Sequence, residues 1–566
     1  MVNLHKKIAS LTKPFFLITY FYAEFGRVFA RCQELGFSTT LFLYLFLLAL
    51  LSITIVASAF IRMNSLRWSY AVTLAVLGLI TNGYELGTGV HLTYDAFINM
   101  VHSVGFIEDA FRQFYIPIAQ ATFVASLLFF GIGLKPRSLP INISGRITAT
   151  IPIFAMTVIT VMLYLRGGDG AKGLLSPFIA GSYSLLLCYE LINDAPGPRK
   201  LVSLPRSNPA TGDIVLIVDE SVSANYIDLV DSDNGVYSAL LGPHPDINVF
   251  NYGVASSITN CSEGTNLTLR HGGTRSDYRR YNATMPSIWD YAKAAGMHTV
   301  YLDAQRTDRR FQNGMDKQES KSIDEFIQFD DVPVRDRDLA AADQIAKHLN
   351  KKTPVFIYVN KVGAHFPVQD KYPTSYMRYR PIAVRGENQN ISDKPMKDVN
   401  KKTATEWQAY RNSYRNTLLW NVGAFFERLF GKGDLSKANI IYTSDHGQDL
   451  HERGNIGTNT HCSSAPVMEE GAVPLVVISG KKANTLDWIR AFNQNRNNSS
   501  HYHIFPTLLL LMGYERQSLR SVYGEPLDET FRDPMTFNIL FNARLGQSPV
   551  WKKVEPLKLM APPNDR

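Results

Sequence analysis

The sequence predicts an α/β protein: an N-terminal bundle of five transmembrane helices followed by an α/β sandwich with a mostly parallel central sheet. Three observations support this prediction. The chain of 566 residues is too long for one ordinary hydrophobic core. Its long apolar runs are confined to the first 200 residues. Short runs rich in Val and Ile alternate with helical patterns in the remainder. We therefore expect a membrane anchor over 1–170, an interfacial linker over 171–205 and a globular domain over 206–566.

The charge and cysteine content narrow the possible partners. The net charge of +8 favours contact with anionic lipid headgroups. No zinc-finger or RNA-recognition signature occurs, so we expect a membrane partner and no nucleic acid. Four cysteines form neither a disulfide framework nor a CxxC metal site. Cys261 and Cys462 fall beside candidate site residues, and we expect two unpaired buried cysteines rather than a bridge.

Five stretches of the N-terminal part are predicted to span a membrane. Four are clearly apolar, whereas the first is interrupted by Glu24 and Arg27. The stretch 174–193 is also apolar, but Pro177 makes it a poor spanning helix. The predicted spans are about 13–31, 39–61, 69–88, 117–134 and 147–166.

The placement of charges selects this set of spans. With 13–31 spanning and 174–193 not, the loop 89–116 falls on one side of the membrane. The basic residues of the other loops all fall on the opposite side: Lys6, Lys7, Arg62, Arg67, Lys135, Arg137 and Arg146. This satisfies the positive-inside rule and exports everything after residue 166. The competing count omits 13–31 and includes 174–193. It also exports the globular domain, but it places basic residues in outer loops.

The second half of the chain alternates between predicted strands and helices. The strands are short apolar runs that suit buried parallel strands, at 213–219, 299–303, 354–360, 439–444 and 473–479. Helical patterns lie between them at 286–295, 338–350 and 406–430. Residues 380–403 are polar and weakly periodic, which is typical of a loop.

Three predicted strands lead into residues that bind metals or transfer protons. The first leads into Glu220, the third towards His365, and the fourth into Asp445 and His446. Ligands of open parallel sheets bind beyond the carboxyl ends of the strands, so these side chains should meet. Two carboxylates and an imidazole form a set suited to zinc, with one position left for a nucleophile. The alternative for Asp445 is an ordinary turn with an Asp cap.

The segment 259–270 offers a hydroxyl nucleophile. A hydroxyl is inert until a metal or a base activates it. Gly264 allows a tight turn that would present Thr265 at a helix N-terminus, where phosphate binds well. On the residues alone, Thr259, Ser262 and Thr268 compete with Thr265, and each also suits a helix cap.

Taken in order, these residues resemble the phosphoethanolamine transferases that modify lipid A, which have an alkaline-phosphatase/sulfatase-like fold. The motifs are IVLIVDES, CSEGTNLT, GAHFPVQDKYP, YTSDHGQDLHERG and NTHCSSAP. The resemblance implies that Thr265 is the nucleophile and, with Glu220, Asp445 and His446, a zinc ligand. It implies that two histidines bind the donor phosphate or a second zinc. These are His365 and His461, and Asn99 with Glu108 resembles a pair that binds the lipid headgroup.

The resemblance also implies the reaction and its place. Phosphoethanolamine would pass from phosphatidylethanolamine to a threonine, and then to an envelope glycan or glycolipid such as lipid A. The protein would be a zinc-dependent monomer of the bacterial inner membrane, multi-pass, with its catalytic domain in the periplasm. The sequence departs from the family after the nucleophile, where LTLRHGG replaces Pro-Cys-Met-Phe. The identity of the acceptor is therefore left open.

Three alternatives remain beside this interpretation. The first two are a phosphoglycerol transferase and a sulfatase-like hydrolase, and the third is a non-catalytic module of polysaccharide export. A formylglycine sulfatase needs a Cys/Ser-x-Pro-x-Arg motif, which does not follow the first predicted strand. A non-catalytic module would be expected to have lost metal ligands, and the sequence retains them.

The predicted topology can be tested with reporter fusions. A reporter that is active only outside the cytoplasm, fused after Arg566, should be active, because the spans export all that follows residue 166. Activity only from a cytoplasmic reporter at the same position would contradict the predicted topology.

Overall fold

The structure, a computed structural model, forms two compact units. They are Met1–Ala195 with Arg544–Gln547, and Pro196–Ala543 with Ser548–Arg566. The boundary at 195/196 lies inside the segment 171–205 that was expected to be a linker. The described residues are 2–102, 107–135, 145–193, 197–210, 212–386, 389, 403–454, 460–463, 465–483, 486–539 and 544–561.

The first unit is helical, and each predicted span falls on a helix. Its helices are α1 Val2–Leu35, α2 Thr39–Ala59, α3 Asn64–Thr88, α4 Tyr94–His102, α5 Ile107–Gly133, α6 Gly145–Leu165 and α7 Ser176–Asn193. Within the described residues, Thr39–Ala59 and Phe114–Gly133 are long and apolar enough to cross a membrane, and Thr150–Leu165 is a shorter apolar helix. The count of five spans stays a prediction.

The charges that interrupt the first predicted span lie inside this unit. Glu24 of α1 is only 3% exposed. Its carboxylate accepts hydrogen bonds from the Asn82 amide at 3.2 Å and the Ser176 hydroxyl at 2.7 Å. Arg27 pairs with Glu24 at 3.2 Å and with Glu85 at 3.0 Å. Because polar groups inside a helical bundle satisfy one another, these charges do not prevent α1 from packing among apolar helices.

The second unit is built on a mixed sheet. Its strands are β1 Asp213–Asp219, β2 Ile247–Ser256, β3 His298–Asp303, β4 Glu325–Gln328, β5 Val355–Asn360, β6 Ala438–Ser444, β7 Ala472–Gly480 and β8 Ser499–Ser500. Within the described residues the order is β4-β3-β5-β1-β6-β7-β2-β8. β7 runs antiparallel to β6 and β2, and the other neighbours pair in parallel. A separate antiparallel pair joins β9 Thr536–Asn538 to β10 Trp551–Lys553.

All five predicted strands are confirmed as β1, β3, β5, β6 and β7. Their side chains alternate between two cores, one on each face of the sheet. On β1, Val215 and Ile217 enter one core, whereas Ile214, Leu216 and Val218 enter the other. Since both faces are covered, these strands are apolar along their length and carry polar groups only at their ends.

The helices of the second unit cover the sheet. They are α8 Ser262–His271, α9 Tyr278–Thr284, α10 Ile288–Ala294, α11 Lys317–Ser320, α12 Arg337–Leu349, α13 Ala404–Leu418, α14 Phe425–Lys432, α15 Trp488–Asn495, α16 Ile504–Leu511, α17 Arg516–Tyr523 and α18 Pro556–Met560. The predicted helices at 286–295 and 338–350 are α10 and α12. The pattern over 406–430 is α13 and α14, joined by a π-helical segment at Leu419–Ala424. Most of the predicted loop 380–403 lies outside the described residues.

A buried ion pair fixes the ends of the central strands. Lys361 Nζ donates to Asp219 Oδ2 at 2.8 Å, and both side chains are fully buried. The Tyr442 hydroxyl donates to the same oxygen at 3.0 Å. Asp219 directly precedes Glu220. This network therefore holds the backbone from which the Glu220 side chain projects.

Breaking this pair from one side should destabilise the second unit. Lys361→Met leaves the Asp219 carboxylate buried without its cation, which costs about 3–5 kcal/mol of unfolding free energy. Thermal or denaturant unfolding of the purified chain measures the loss. The matched double variant Asp219→Asn/Lys361→Met should recover much of it, because no buried charge is left. Equal stability of Lys361→Met and the wild type would contradict this role.

Candidate metal centre

Glu220, Asp445 and His446 meet at one edge of the sheet. One ligand atom from each lies within 4.8 Å of the others, and all three residues are buried. Glu220 follows β1, and Asp445 and His446 follow β6. These strands are parallel neighbours in which Asp219 lies opposite Ser444, so the chain leaves both strands at the same level. The structure thus brings together three residues that the sequence placed at a metal site.

The imidazole of His446 is oriented towards the two carboxylates. Its Nδ1 lies 2.8 Å from the Gly447 carbonyl oxygen, which only accepts hydrogen bonds. Nδ1 therefore carries the proton, and Nε2 presents a lone pair. Nε2 lies 3.4 Å from Glu220 Oε1 and 3.6 Å from Asp445 Oδ2. This tautomer is the one that binds a metal through Nε2.

The carboxylate of Asp445 is held through one oxygen only. Its Oδ1 accepts hydrogen bonds from the backbone N–H of Ser221 at 2.9 Å and of His446 at 2.7 Å. Its Oδ2 is buried, and no hydrogen bond reaches it from the described residues. A buried carboxylate oxygen without a partner is costly unless a cation lies beside it. The residues present therefore fit a divalent metal, and two carboxylates with one imidazole suit zinc.

The pKa values of the two carboxyl groups also favour a bound cation. Burial, and then the charge of Glu220, raise the pKa of Asp445 well above its usual range. Burial acts in the same direction on Glu220, but the close His446 imidazole, and then the other nearby imidazoles, hold its pKa well below its usual value. Two carboxylates this close disfavour a second negative charge. A divalent cation between them removes that repulsion.

Side-chain hydrogen bonds and close approaches of the backbone hold the residues of the cluster in place. Ser221 Oγ donates to Glu220 Oε1 at 2.9 Å, and Gln305 Nε2 donates to Glu220 Oε2 at 3.0 Å. Gly363 has φ 56, and a Cβ there would lie 2.4 Å from the Glu220 carbonyl oxygen. Gly447 permits a close approach between two segments of the chain, since a Cβ there would lie 2.1 Å from the Glu469 carbonyl oxygen.

A serine hydroxyl lies beside the cluster. Ser262 Oγ is 3.2 Å from Glu220 Oε1 and 3.2 Å from His446 Nε2. Ser262 is the first residue of α8. The N-terminus of a helix has free backbone N–H groups and a positive end of the helix dipole, both of which favour phosphate. The site thus combines a hydroxyl, a candidate metal centre and a helix N-terminus of the kind that favours phosphate.

Thr265, the hydroxyl chosen from the sequence, does not reach the cluster. Its Oγ1 donates to the Thr259 carbonyl oxygen at 3.4 Å and accepts from the Thr259 N–H at 3.2 Å. Its side chain is fully buried. The predicted turn at Gly264 is absent because α8 already begins at Ser262, which places Thr265 one turn inside the helix. The structure therefore moves the candidate hydroxyl from Thr265 to Ser262.

The other two competing hydroxyls bind backbone carbonyl groups. Thr259 Oγ1 donates to the Cys261 carbonyl oxygen at 2.8 Å. Thr268 Oγ1 donates to the Gly264 carbonyl oxygen at 2.9 Å, inside α8. Each of these hydroxyls supports the local backbone.

Two of the predicted substrate-binding histidines lie next to the cluster. The ring of His461 stacks on His446 with centroids 4.6 Å apart, and the ring of His365 lies 5.0 Å from that of His461. Burial, and then the neighbouring imidazoles, lower the pKa of His461 well below its usual value, so its ring is neutral near pH 7. The other predicted pair belongs to the first unit. Asn99 lies in α4, and the side chain of Glu108 is outside the described residues.

A disulfide joins Cys261 to Cys462, which corrects the expectation of two unpaired cysteines. The bond lies directly before Ser262 and directly after His461. The Cys462 N–H also donates to the Asn260 carbonyl oxygen at 2.9 Å. The two cysteines are 201 residues apart, so their proximity follows from the fold and not from spacing. The disulfide ties the segment with the hydroxyl to the segment with His461, and it suits an oxidising compartment.

Comparison with known proteins identifies the family of the second half of the chain. The sulfatase family matches residues 213–514, more than half of the chain. Over 201 residues the chain is 22% identical to Kdo(2)-lipid A phosphoethanolamine 7''-transferase of Salmonella typhimurium. That match covers 34% of this chain and 31% of the relative, so the chain spans about a third of the length of this curated relative.

A solved structure shares the fold, and a second was also matched. Lipooligosaccharide phosphoethanolamine transferase A (EptA) from Neisseria meningitidis, an integral membrane protein, matches 91% of this chain and 99% of its own, with a TM-score of 0.57 and 16% identity. The periplasmic domain of EcEptC from Escherichia coli, in complex with Zn, covers 62% of this chain and 96% of its own, with a TM-score of 0.47 and 17% identity. The family match, the curated relative and the fold shared with EptA confirm the resemblance to the phosphoethanolamine transferases.

Removal of one carboxylate should empty the candidate metal centre. Asp445→Ala leaves one carboxylate and one imidazole, a poor set for zinc, so the variant should lose one tightly held zinc equivalent per chain. Elemental analysis of the gel-filtered protein measures the ratio. The exposed Asp487→Ala serves as the matched control and should keep the wild-type ratio. An unchanged ratio in Asp445→Ala would rule out this assignment.

Proposed function

We propose that this chain, which belongs to the sulfatase family, transfers phosphoethanolamine from phosphatidylethanolamine to an envelope glycan or glycolipid. One observation carries the proposal: the Ser262 hydroxyl lies 3.2 Å from both Glu220 and His446 at the start of α8. A hydroxyl in this position favours transfer through a covalent phosphoserine over direct attack by water. The transferred group is suggested by relatives whose names specify phosphoethanolamine transfer.

The first half of the reaction links the phosphoryl group to Ser262. Glu220, Asp445 and His446 would hold zinc, which supplies positive charge that lowers the pKa of a neighbouring hydroxyl. Ser262 Oγ attacks the donor phosphorus, the bond from phosphorus to the diacylglycerol oxygen breaks, and the proton lost by Oγ is balanced by the one that the departing diacylglycerol takes up. The free N–H groups at the start of α8 stabilise the phosphate oxygens. The rings of His461 and His365 lie close to His446, and we propose that they contact those oxygens.

The second half returns the enzyme to its starting state. A hydroxyl or phosphate of the acceptor attacks the same phosphorus, and the bond to Ser262 Oγ breaks. Oγ then takes up the proton that the acceptor group gives up. The disulfide between Cys261 and Cys462 keeps Ser262 and His461 in register through both halves. A covalent mechanism requires that the serine oxygen keep the same position during both displacement steps.

The use of a lipid donor explains why a membrane anchor would precede the catalytic unit. Diacylglycerol remains in the membrane, so an enzyme that uses this donor benefits from a membrane anchor. We place the protein in the bacterial inner membrane as a multi-pass monomer whose second unit is periplasmic. Asn99 and Glu108 are proposed to bind the headgroup of the donor. Helices at all the predicted spans and a disulfide at the site support this arrangement.

A formylglycine-dependent sulfatase reaction does not suit the site. The residue at the nucleophile position is Ser262, which formylglycine formation accepts in principle. The residues two and four positions later are Gly264 and Asn266, where the sulfatase motif requires Pro and Arg. Family membership therefore extends to the fold and the metal-type cluster, but not to this cofactor.

Mass spectrometry of envelope lipids and glycans tests the proposed function. Cells with the protein should carry a glycan or glycolipid that is heavier by one phosphoethanolamine, and cells with Ser262→Ala should not. A phosphoglycerol increment in its place would support the alternative transferase. No change in any envelope glycan or glycolipid would contradict transfer.

Two matched variants separate the competing hydroxyls. Ser262→Ala should lose about 10³-fold or more in turnover, because it removes the hydroxyl proposed to attack the donor phosphorus. It should keep its zinc. Thr265→Val removes a hydroxyl that only contacts the backbone of Thr259, and it should lose far less. Turnover of a labelled phosphatidylethanolamine measures both. An active Ser262→Ala with an inactive Thr265→Val would restore the assignment made from the sequence.

A further inference from the structure

A second group of side chains whose types can bind a metal lies at the amino ends of two strands of the sheet. It consists of His298, Glu325 and His348, and one ligand atom from each lies within 4.8 Å of the others. His298 is the first residue of β3, Glu325 is the first of β4, and His348 lies in the last turn of α12. The candidate metal centre lies beyond the carboxyl ends of β1 and β6, whereas this group lies at the amino ends of two parallel strands.

We propose that these three side chains form a second, structural zinc site. His298 Nε2 lies 2.7 Å from Glu325 Oε1, and His348 Nε2 lies 3.7 Å from Glu325 Oε2. Tetrahedral zinc with bonds of 2.0–2.1 Å separates its ligand atoms by about 3.3 Å. Small side-chain rotations therefore bring all three atoms onto one ion. Two imidazoles with one carboxylate select zinc-like metals over calcium or magnesium.

The buried histidine supplies an independent reason for a ligand. His348 is 1% exposed, and its Nε2 makes no hydrogen bond to the described part of the chain. A buried polar atom without a hydrogen-bond partner is energetically unfavourable. The Nε2 atom faces the Glu325 carboxylate at a distance too long for a hydrogen bond. A cation between these two groups would satisfy both.

The surroundings of His298 resemble those of a metal ligand. Its Nδ1 lies 3.5 Å from Asp324 Oδ2. That carboxylate is fixed by the N–H and the hydroxyl of Thr299, each at 3.0 Å. A carboxylate behind the second ring nitrogen orients a histidine whose first nitrogen binds a metal. The side chains of His298 and Glu325 are 32% and 36% exposed, so an ion can enter and a water can complete the coordination.

One neighbour opposes metal binding and thereby provides a test. Lys351 Nζ lies 3.2 Å from His348 Nδ1 and 3.7 Å from Glu325 Oε1. A cation at this place repels a metal ion and stabilises the tautomer of His348 that has its proton on Nε2. The Lys351 side chain is 45% exposed and can turn towards solvent. Its removal should therefore strengthen metal binding, whereas removal of a ligand should weaken it.

The proposed site would fasten an edge of the sheet. β4 is the edge strand next to β3, and α12 packs beside them. A metal ion that binds the folded chain and not the unfolded one stabilises it by mass action. The ion would therefore join three elements at an edge that is otherwise held by a strand of four residues.

The experiment measures Zn²⁺ binding to the full chain with the candidate metal centre disabled. Asp445→Ala should still hold one zinc equivalent and should melt at a higher temperature with Zn²⁺ than without it. Addition of His348→Ala or Glu325→Gln should remove that equivalent, with affinity reduced at least about 10-fold. Addition of Lys351→Ala should tighten binding several-fold. Addition of His244→Ala, a histidine outside both groups, should change nothing.

The opposite results would overturn the site. Asp445→Ala without any bound Zn²⁺ would exclude it, as would equal affinity in Asp445→Ala/Glu325→Gln. If His348→Ala does not fold, Glu325→Gln decides, because Glu325 is partly exposed. Co²⁺ in place of Zn²⁺ should give the strong visible absorption of a tetrahedral site. The readout is metal content in a variant that lacks the candidate metal centre, so the result does not depend on the proposed transferase activity.

Discussion

The parallel pairing of β1 with β6 is the constraint on which the candidate metal centre depends. With Asp219 opposite Ser444, the chain leaves both strands at one level, and Glu220 and Asp445 become buried neighbours. Two carboxylates in such a place are unfavourable without a cation. The protonated Nδ1 of His446 leaves Nε2 free to share that cation. The register of β1 against β6 thus brings the residues of the candidate metal centre together, and the surrounding loops add further contacts.

Two local features, the start of α8 and a disulfide, then set the chemistry around this cluster. The start of α8 decides which hydroxyl faces the carboxylates, and it selects Ser262. The disulfide ties the residue before Ser262 to the residue after His461, which keeps the segment with the hydroxyl close to the segment with the stacked imidazole. Behind them, the buried pair of Lys361 and Asp219 anchors the strand ends. The site is therefore held in place both by the ion pair at the strand ends and by the disulfide between the two loop segments.

The sequence predicted most of the sheet and the metal-type cluster, because buried parallel strands are apolar along their length and carry ligands at their ends. It missed β2, whose polar residues Asn248 and Asn251 interrupt the apolar pattern. It chose Thr265 over Ser262 because the first residue of a helix is not fixed by the pattern, and a shift of three residues exchanges the hydroxyl at the site. The disulfide joins segments whose proximity only the fold creates.

Peptide mass spectrometry of the covalent intermediate tests the central claim most directly. Purified enzyme is given phosphatidylethanolamine without an acceptor, quenched, digested and sequenced. The account predicts a phosphoethanolamine adduct on Ser262 and release of diacylglycerol. An adduct on Thr259, Thr265 or Thr268 would contradict the assignment of the hydroxyl. Release of diacylglycerol without any adduct would contradict the covalent mechanism.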